Sequence, residues 1–242
     1  MVVPSMLILF ASARFGAFLR MRRPLKEEEY DDFDVVEAAT LTLLGLVIGF
    51  TFAMSITRYD LRKNDEESEA NAIGTEYFRV GLMPDGAAAA ARTQLRKYLD
   101  LRIAFYQARS DGELQKINSD TTQLQSEMWS TVEAPATSSP TPVIALAVSG
   151  MNDVLNSQGY TAAAWRNRIP VAAWGLLTLT AVFGNLLVGY GIRASTRGAL
   201  LWVLPIVISI SFLLIDDIDT PRGGLIHIYP QNLQSLLSSL PK

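Results

Sequence analysis

The sequence predicts an all-α integral membrane protein: a bundle of three or four transmembrane helices carrying a helical, water-soluble insert. Three observations predict it. Residues 35–57, 170–192 and 198–215 are apolar runs with one charge or none. Each is near the ~20 residues that a helix rising ~1.5 Å per residue needs to cross ~30 Å of hydrocarbon. Charge gathers instead in residues 58–169, between the first and second runs. Finally, no stretch shows the apolar–polar alternation of strands, whereas helical spacing recurs throughout the insert.

Composition narrows the function classes. At 242 residues and 49% hydrophobic, the chain suffices for a membrane bundle and one compact soluble module. A net charge of -3 offers nothing to a polyanion, so nucleic acid is not an expected partner. With no cysteine there is no disulfide framework, thiolate metal site or thiol nucleophile. The single histidine, His227, argues against most zinc, haem and histidine-dependent catalytic designs. No nucleophile–base pairing, phosphate loop or metal-ligand spacing points to an enzyme.

Residues 1–34 hold a short first membrane helix and an acidic linker. The opening stretch to Leu19 is apolar but short, contains Arg14, and is followed by Arg20, Arg22 and Arg23. A signal peptide carries its positive charges before the apolar stretch, so that reading is disfavoured. The alternative to a membrane helix is an amphipathic helix in the interface, with Arg14 and Arg20 reaching the headgroups. The linker 26–34 carries six acids; they suit the positive end of the next helix's dipole, or, in an oligomer, a cation-attracting vestibule.

In the insert, a helix is predicted over 60–80. Pro84-Asp85-Gly86 turns the chain into a second, extending to Arg109, with Leu95, Leu99, Arg102 and Tyr106 beside a stripe of Tyr98, Leu101 and Phe105. A third spans 111–132, its core positions Leu114, Ile117, Leu124, Met128 and Trp129. The proline- and serine-rich residues 134–142 read as a loop, and a fourth helix covers 143–156. Glu69 and Asn71 sit on turns neighbouring Glu66 and Arg62, which predicts a buried polar brace.

The run 35–57 carries two patterns. Gly45, Gly49 and Ala53 recur every four residues, a narrow face on which helix backbones can approach closely. Leu46, Phe50 and Met54 form a bulky stripe beside it. That stripe either faces lipid or, repeated around an axis, forms an apolar constriction that gates ions by dewetting. In 170–192, Thr178, Thr180 and Asn185 are polar; they suit interhelical hydrogen bonds, and Asn185 is a further pore-lining candidate. Pro205 predicts a kink in the last helix, with Ser209 and Ser211 near enough to re-satisfy freed backbone groups.

Several strings then resemble a known family. Gly49-Phe50-Thr51-Phe52, Thr57-Arg58-Tyr59-Asp60 and residues 69–77, with Asp217, Asp219, Pro221, Arg222 and Gly223 after the last apolar run, are similar to the bestrophin-like domain family of small bacterial membrane proteins. Ile169-Pro170 opens the run 170–192 as in that family. The resemblance implies the order helix, helical insert, two helices. Through a distant similarity to bestrophins, it also implies a pentameric anion channel. Leu46, Phe50 and Met54 would then fall at the hydrophobic neck, and Asp216, Asp217 and Asp219 near the acidic calcium-binding stretch.

The physical reading of those acids in the tail 216–242 leaves three options. They cap the last helix, with Arg222 in ion-pair range of Asp219; they bind a divalent cation such as calcium, which takes six or more oxygens; or they contact the insert through Arg58 and Arg62. Arginines flank the insert and also occur on the opposite side, at Arg20, Arg22, Arg23, Arg193 and Arg197, so the positive-inside count is nearly balanced. The resemblance and the absence of cysteine favour a multi-pass protein of the cell inner membrane with a cytoplasmic insert. Two functions are expected: a homo-oligomeric, anion-conducting channel in the lipid bilayer, or a non-conducting scaffold whose insert binds a cytoplasmic protein.

Overall fold

The structure is a computed structural model that describes residues 2–192 and 200–241. The described residues form eight α-helices and no strand: α1 (Val2–Arg22), α2 (Tyr30–Arg79), α3 (Asp85–Gln107), α4 (Asp111–Ser138), α5 (Pro142–Arg166), α6 (Val171–Gly191), α7 (Leu200–Asp219) and α8 (Gln231–Ser239). Arg193, Arg197 and the first two positions of the third apolar run lie outside the described residues. Among the described residues, four helical stretches are long and apolar enough to cross a membrane, in α1, α2, α6 and α7. The first helix, the uncertain one by sequence, is therefore a full-length candidate span.

The chain divides into two compact units, Met1–Thr57 with Arg168–Thr220, and Arg58–Asn167 with Pro221–Lys242. In the first unit, α1 and α6 run side by side in the same direction. Ser12 Oγ donates to the Val182 carbonyl at 2.7 Å, Gly16 lies against the Leu186 carbonyl and Gly189 against the Ala13 backbone. Hydrocarbon gives apolar helices no solvent-driven reason to associate, so close approach at small residues supplies the attraction. Arg20 donates to the carbonyl of Tyr190 at 2.7 Å, to that of Gly191, and to the Tyr30 hydroxyl at 2.8 Å. It thereby occupies carbonyls at the C-terminus of α6 that have no partner within the helix, at the negative end of its dipole. Phe10 stacks on Trp202 of α7 at 3.6 Å, and Leu9, Leu44, Ala181 and Ile208 close the core.

The second unit is a helical bundle around Ile73, Leu95, Tyr98, Leu99, Met128, Met151 and Val154, all fully buried. On α3 the two predicted stripes merge into one face, buried except at Leu101, which is half-buried. Ser110 caps α4 by accepting from Glu113 N at 3.3 Å, and the Glu113 carboxylate accepts from Arg109 N at 3.1 Å, a reciprocal cap. Thr141 caps α5, accepting from Ile144 N at 3.2 Å, with Pro142 in the first turn where a missing N–H costs nothing.

Four sequence expectations are corrected. The predicted loop 134–142 is mostly helix: α4 continues through Pro135 to Ser138 because Val132 and Pro135 are both buried, and packing outweighs proline's lost hydrogen bond. The fourth insert helix does not stop at 156 but extends to Arg166, held by buried Thr161, Ala164 and Trp165. The first long apolar run and the helix expected over 60–80 are one uninterrupted helix of 50 residues. Trp129, expected in the core, is partly exposed. Pro205 sits inside α7, where Ser211 donates to the Val207 carbonyl at 3.0 Å.

Candidate functional site

Helix α2 is two-faced in each unit. Leu44, Thr51 and Ser55 are buried in the first unit, and Arg62, Glu66, Glu69, Ile73 and Glu76 in the second, a seam at helical spacing. Away from the seam, Leu46, Phe50 and Met54 retain 51%, 64% and 38% of their surface. A Cβ added at Gly45 or Gly49 would meet nothing within 4 Å, and Ala53 is also exposed. The bulky stripe and the small-residue face therefore lie side by side on α2, ~100° apart, both uncovered by the described helices.

The four residues expected to form a polar brace do not share one environment. Arg62, Glu66 and Glu69 are buried, yet each reaches a different element. Arg62 donates to the carbonyls of Ala164 at 3.2 Å and Asn167 at 3.0 Å. Glu66 accepts from Asn232 Nδ2 at 2.6 Å and from Leu233 N at 3.0 Å, fastening the start of α8. Glu69 forms a fully buried ion pair with Arg102 of α3 and accepts from the hydroxyls of Thr161 at 3.3 Å and Tyr106 at 3.5 Å. Asn71 is exposed and stands outside the brace.

Burial raises the Glu69 pKa against the opposing pull of Arg102. For Arg102, burial is the largest influence and lowers the pKa, but the Glu69 carboxylate together with Tyr98 and Tyr106 raises it by more, so the guanidinium keeps its proton. It also lies over the Phe105 ring, 4.4 Å from the centroid.

Sequence reasoning gave Glu76 no role, although it falls seven residues after Glu69 on the same seam. Its carboxyl is fully buried, packs against Gly150, and neither oxygen has a hydrogen-bond partner among the described residues. Burial pushes its pKa up from 4.5 to about 8; the Arg79 charge lowers it and that of Asp153 raises it. A carboxyl whose folded pKa is raised contributes stability in full below about 4.5, loses it through neutral pH, and has lost it once the pH passes about 8. The melting temperature of the wild type should therefore fall as pH rises from 5 to 9. Glu76→Gln should flatten that slope; an equally steep slope in the variant would assign it to other groups.

The acids after the last apolar run divide. Asp216 and Asp217 are partly exposed and Asp219 is buried. Both Asp219 oxygens accept from Ile169 N, at 3.0 and 3.3 Å, while Arg168 donates to the Asp219 carbonyl at 3.1 Å. Among the described residues no three His, Asp or Glu side chains gather as a metal site. Arg222 is engaged in the second unit, between the rings of Phe105 and Trp165, 4.5 and 4.3 Å from their centroids. Asn185 is fully buried in the first unit and donates to the Ala181 carbonyl at 2.8 Å. Its side chain is therefore covered within its own unit.

A bundle of four candidate spans, an uncovered apolar stripe on the longest helix and a braced helical insert define a multi-pass membrane protein. The chain belongs to the bestrophin-like family, whose domain model matches residues 6–233. Among solved structures it is similar to a bacterial bestrophin homologue from Klebsiella pneumoniae phased by zinc anomalous scattering, with a TM-score of 0.66 at 13% identity over 100% of both chains. A point variant of a Klebsiella pneumoniae bestrophin homologue gives 0.67 at 12% identity, covering 98% of this chain and 96% of that one. Compared by sequence with curated proteins, the chain has no match.

Proposed function

We propose that the protein is a homo-oligomeric ion channel of the cell inner membrane, most simply a pentamer passing anions, with its helical insert in the cytoplasm. The observation that carries this reading is the uncovered face of α2. Leu46, Phe50 and Met54 are exposed along two turns, next to the open small-residue face of Gly45 and Gly49. Copies packed through the small residues would turn the bulky stripe toward a common axis. An apolar ring holds such a pore closed because confined water is unfavourable between hydrocarbon walls and an ion cannot enter without its hydration. Family membership supports the same assignment.

Replacing Leu46, Phe50 and Met54 together by alanine should widen and wet the neck. In planar bilayers the triple variant is expected to give larger or more frequent currents than wild type while assembling to the same size. Silence of both proteins across a range of voltages and of chloride and potassium gradients would overturn the channel. A second reading would then take its place, a non-conducting scaffold whose insert binds a cytoplasmic protein. It is favoured by a shallow groove in the second unit lined by Trp129, Pro140, Pro142, Ile144 and Val148.

A further inference from the structure

Beside the α3–α4 junction, the segment after Pro221 encloses a cavity of about 300 Å³ lined by Tyr106, Arg109, Arg222, His227 and Tyr229, with Ile228 and Pro230 among its apolar residues. The volume is at the small end of metabolite sites. Its polar groups are unusual in being fixed but incompletely used. Arg222 is clamped between two aromatic rings, and Nη1 donates to the carbonyls of Phe105 at 2.7 Å and Ala108 at 3.5 Å. No other nitrogen of that guanidinium has a hydrogen-bond partner among the described residues. Nδ1 of His227 is likewise buried without one. Arg109 adds a second, exposed cation.

From these residues we infer that the cavity binds a small oxyanion, the carboxylate or phosphate group of a soluble metabolite, through Arg222, Arg109 and His227. A guanidinium held in place presents its free N–H edge to a planar or tetrahedral oxyanion without losing further side-chain freedom. The electrostatics favour such a guest. Burial lowers the Arg222 pKa and the Arg102 charge lowers it further, while Asp111 opposes both; an anion would relieve this. Two acids are close by, but the Glu113 carboxylate is taken by the Arg109 N–H, and Asp111 lies in the first turn of α4 rather than in the lining. The site does not depend on whether the protein conducts ions.

The test uses the full chain in detergent, with inorganic phosphate as probe and sodium chloride at matched ionic strength as control. A ligand that binds only the folded state raises the melting temperature in a saturable way. Phosphate should do so and chloride should not. Because Arg222→Gln would also remove ring packing, the diagnostic variant is Arg109→Gln with His227→Gln. It should melt as wild type does without phosphate and bind phosphate at least about tenfold more weakly. An equal shift with chloride, no shift with phosphate, or a phosphate shift unchanged in the double variant would overturn the site. A response to dihexanoyl phosphatidylglycerol but not to phosphate would overturn its assignment to a soluble metabolite.

Discussion

Replacing Glu69 by alanine is expected to lower the stability of the protein by about 3–5 kcal/mol, because it strands the Arg102 guanidinium without its counter-charge in a fully buried site. The hydroxyls of Thr161 and Tyr106 lose an acceptor at the same time. The corresponding fall in melting temperature is roughly 10 °C. Breaking such a pair is costly, whereas replacing both partners by apolar side chains of similar volume is not. Glu69→Leu combined with Arg102→Met should therefore recover most of the loss. A single variant that melts within a degree of wild type would show that the pair is dispensable.

The second large effect concerns the first unit. A Cβ on Gly189 would collide with the Ala13 backbone, and one on Gly16 with the Leu186 carbonyl. Neither contact is with a flexible side chain, so the helices themselves must separate. Gly189→Val should abolish the monodisperse folded peak in fluorescence-detected size exclusion. Gly175→Val, on the same helix but with nothing within 4 Å, should leave that peak unchanged. Overpacking normally costs about 1–3 kcal/mol, and here the serine bond to Val182 and the Arg20 cap would be strained with it. A normal peak for Gly189→Val would mean that α1 and α6 tolerate a wider spacing.

The membrane helices were legible because length and apolarity are set by the thickness of the bilayer, a constraint on consecutive residues. So was the stripe Leu46, Phe50, Met54, since helical spacing alone puts those side chains on one face. The partners of the polar brace were not legible. Spacing on α2 predicts which side chains share a face, but Glu69 pairs with Arg102, 33 residues away, and Glu66 with Asn232, 166 away. Such pairings are decided by how α3 and α8 pack. Residues 134–142 misled for the opposite reason. Proline and serine are local signals for a loop, and burial of Val132 and Pro135 overrides them. Glu76 carried only a faint sign, an acid recurring on a face that already held Glu66 and Glu69. Asn185 shows the limit for membrane segments, where one polar residue can equally bond its own helix or face water.

The pairing of α1 with α6 has a consequence for biogenesis. Ser12 and its acceptor Val182 are 170 residues apart, so a ribosome adding ~5–20 residues per second has α1 waiting roughly ten to thirty seconds for its partner to emerge. During that interval the small-residue face of α1, Ser12, Ala13 and Gly16, is unpaired, and Arg20 lacks the helix terminus that later accepts its hydrogen bonds. Although made well before α6, α1 is thus locked only once that helix has emerged. In the cell the nascent chain must shelter α1 at the insertion machinery or in the lipid until α6 has been synthesised.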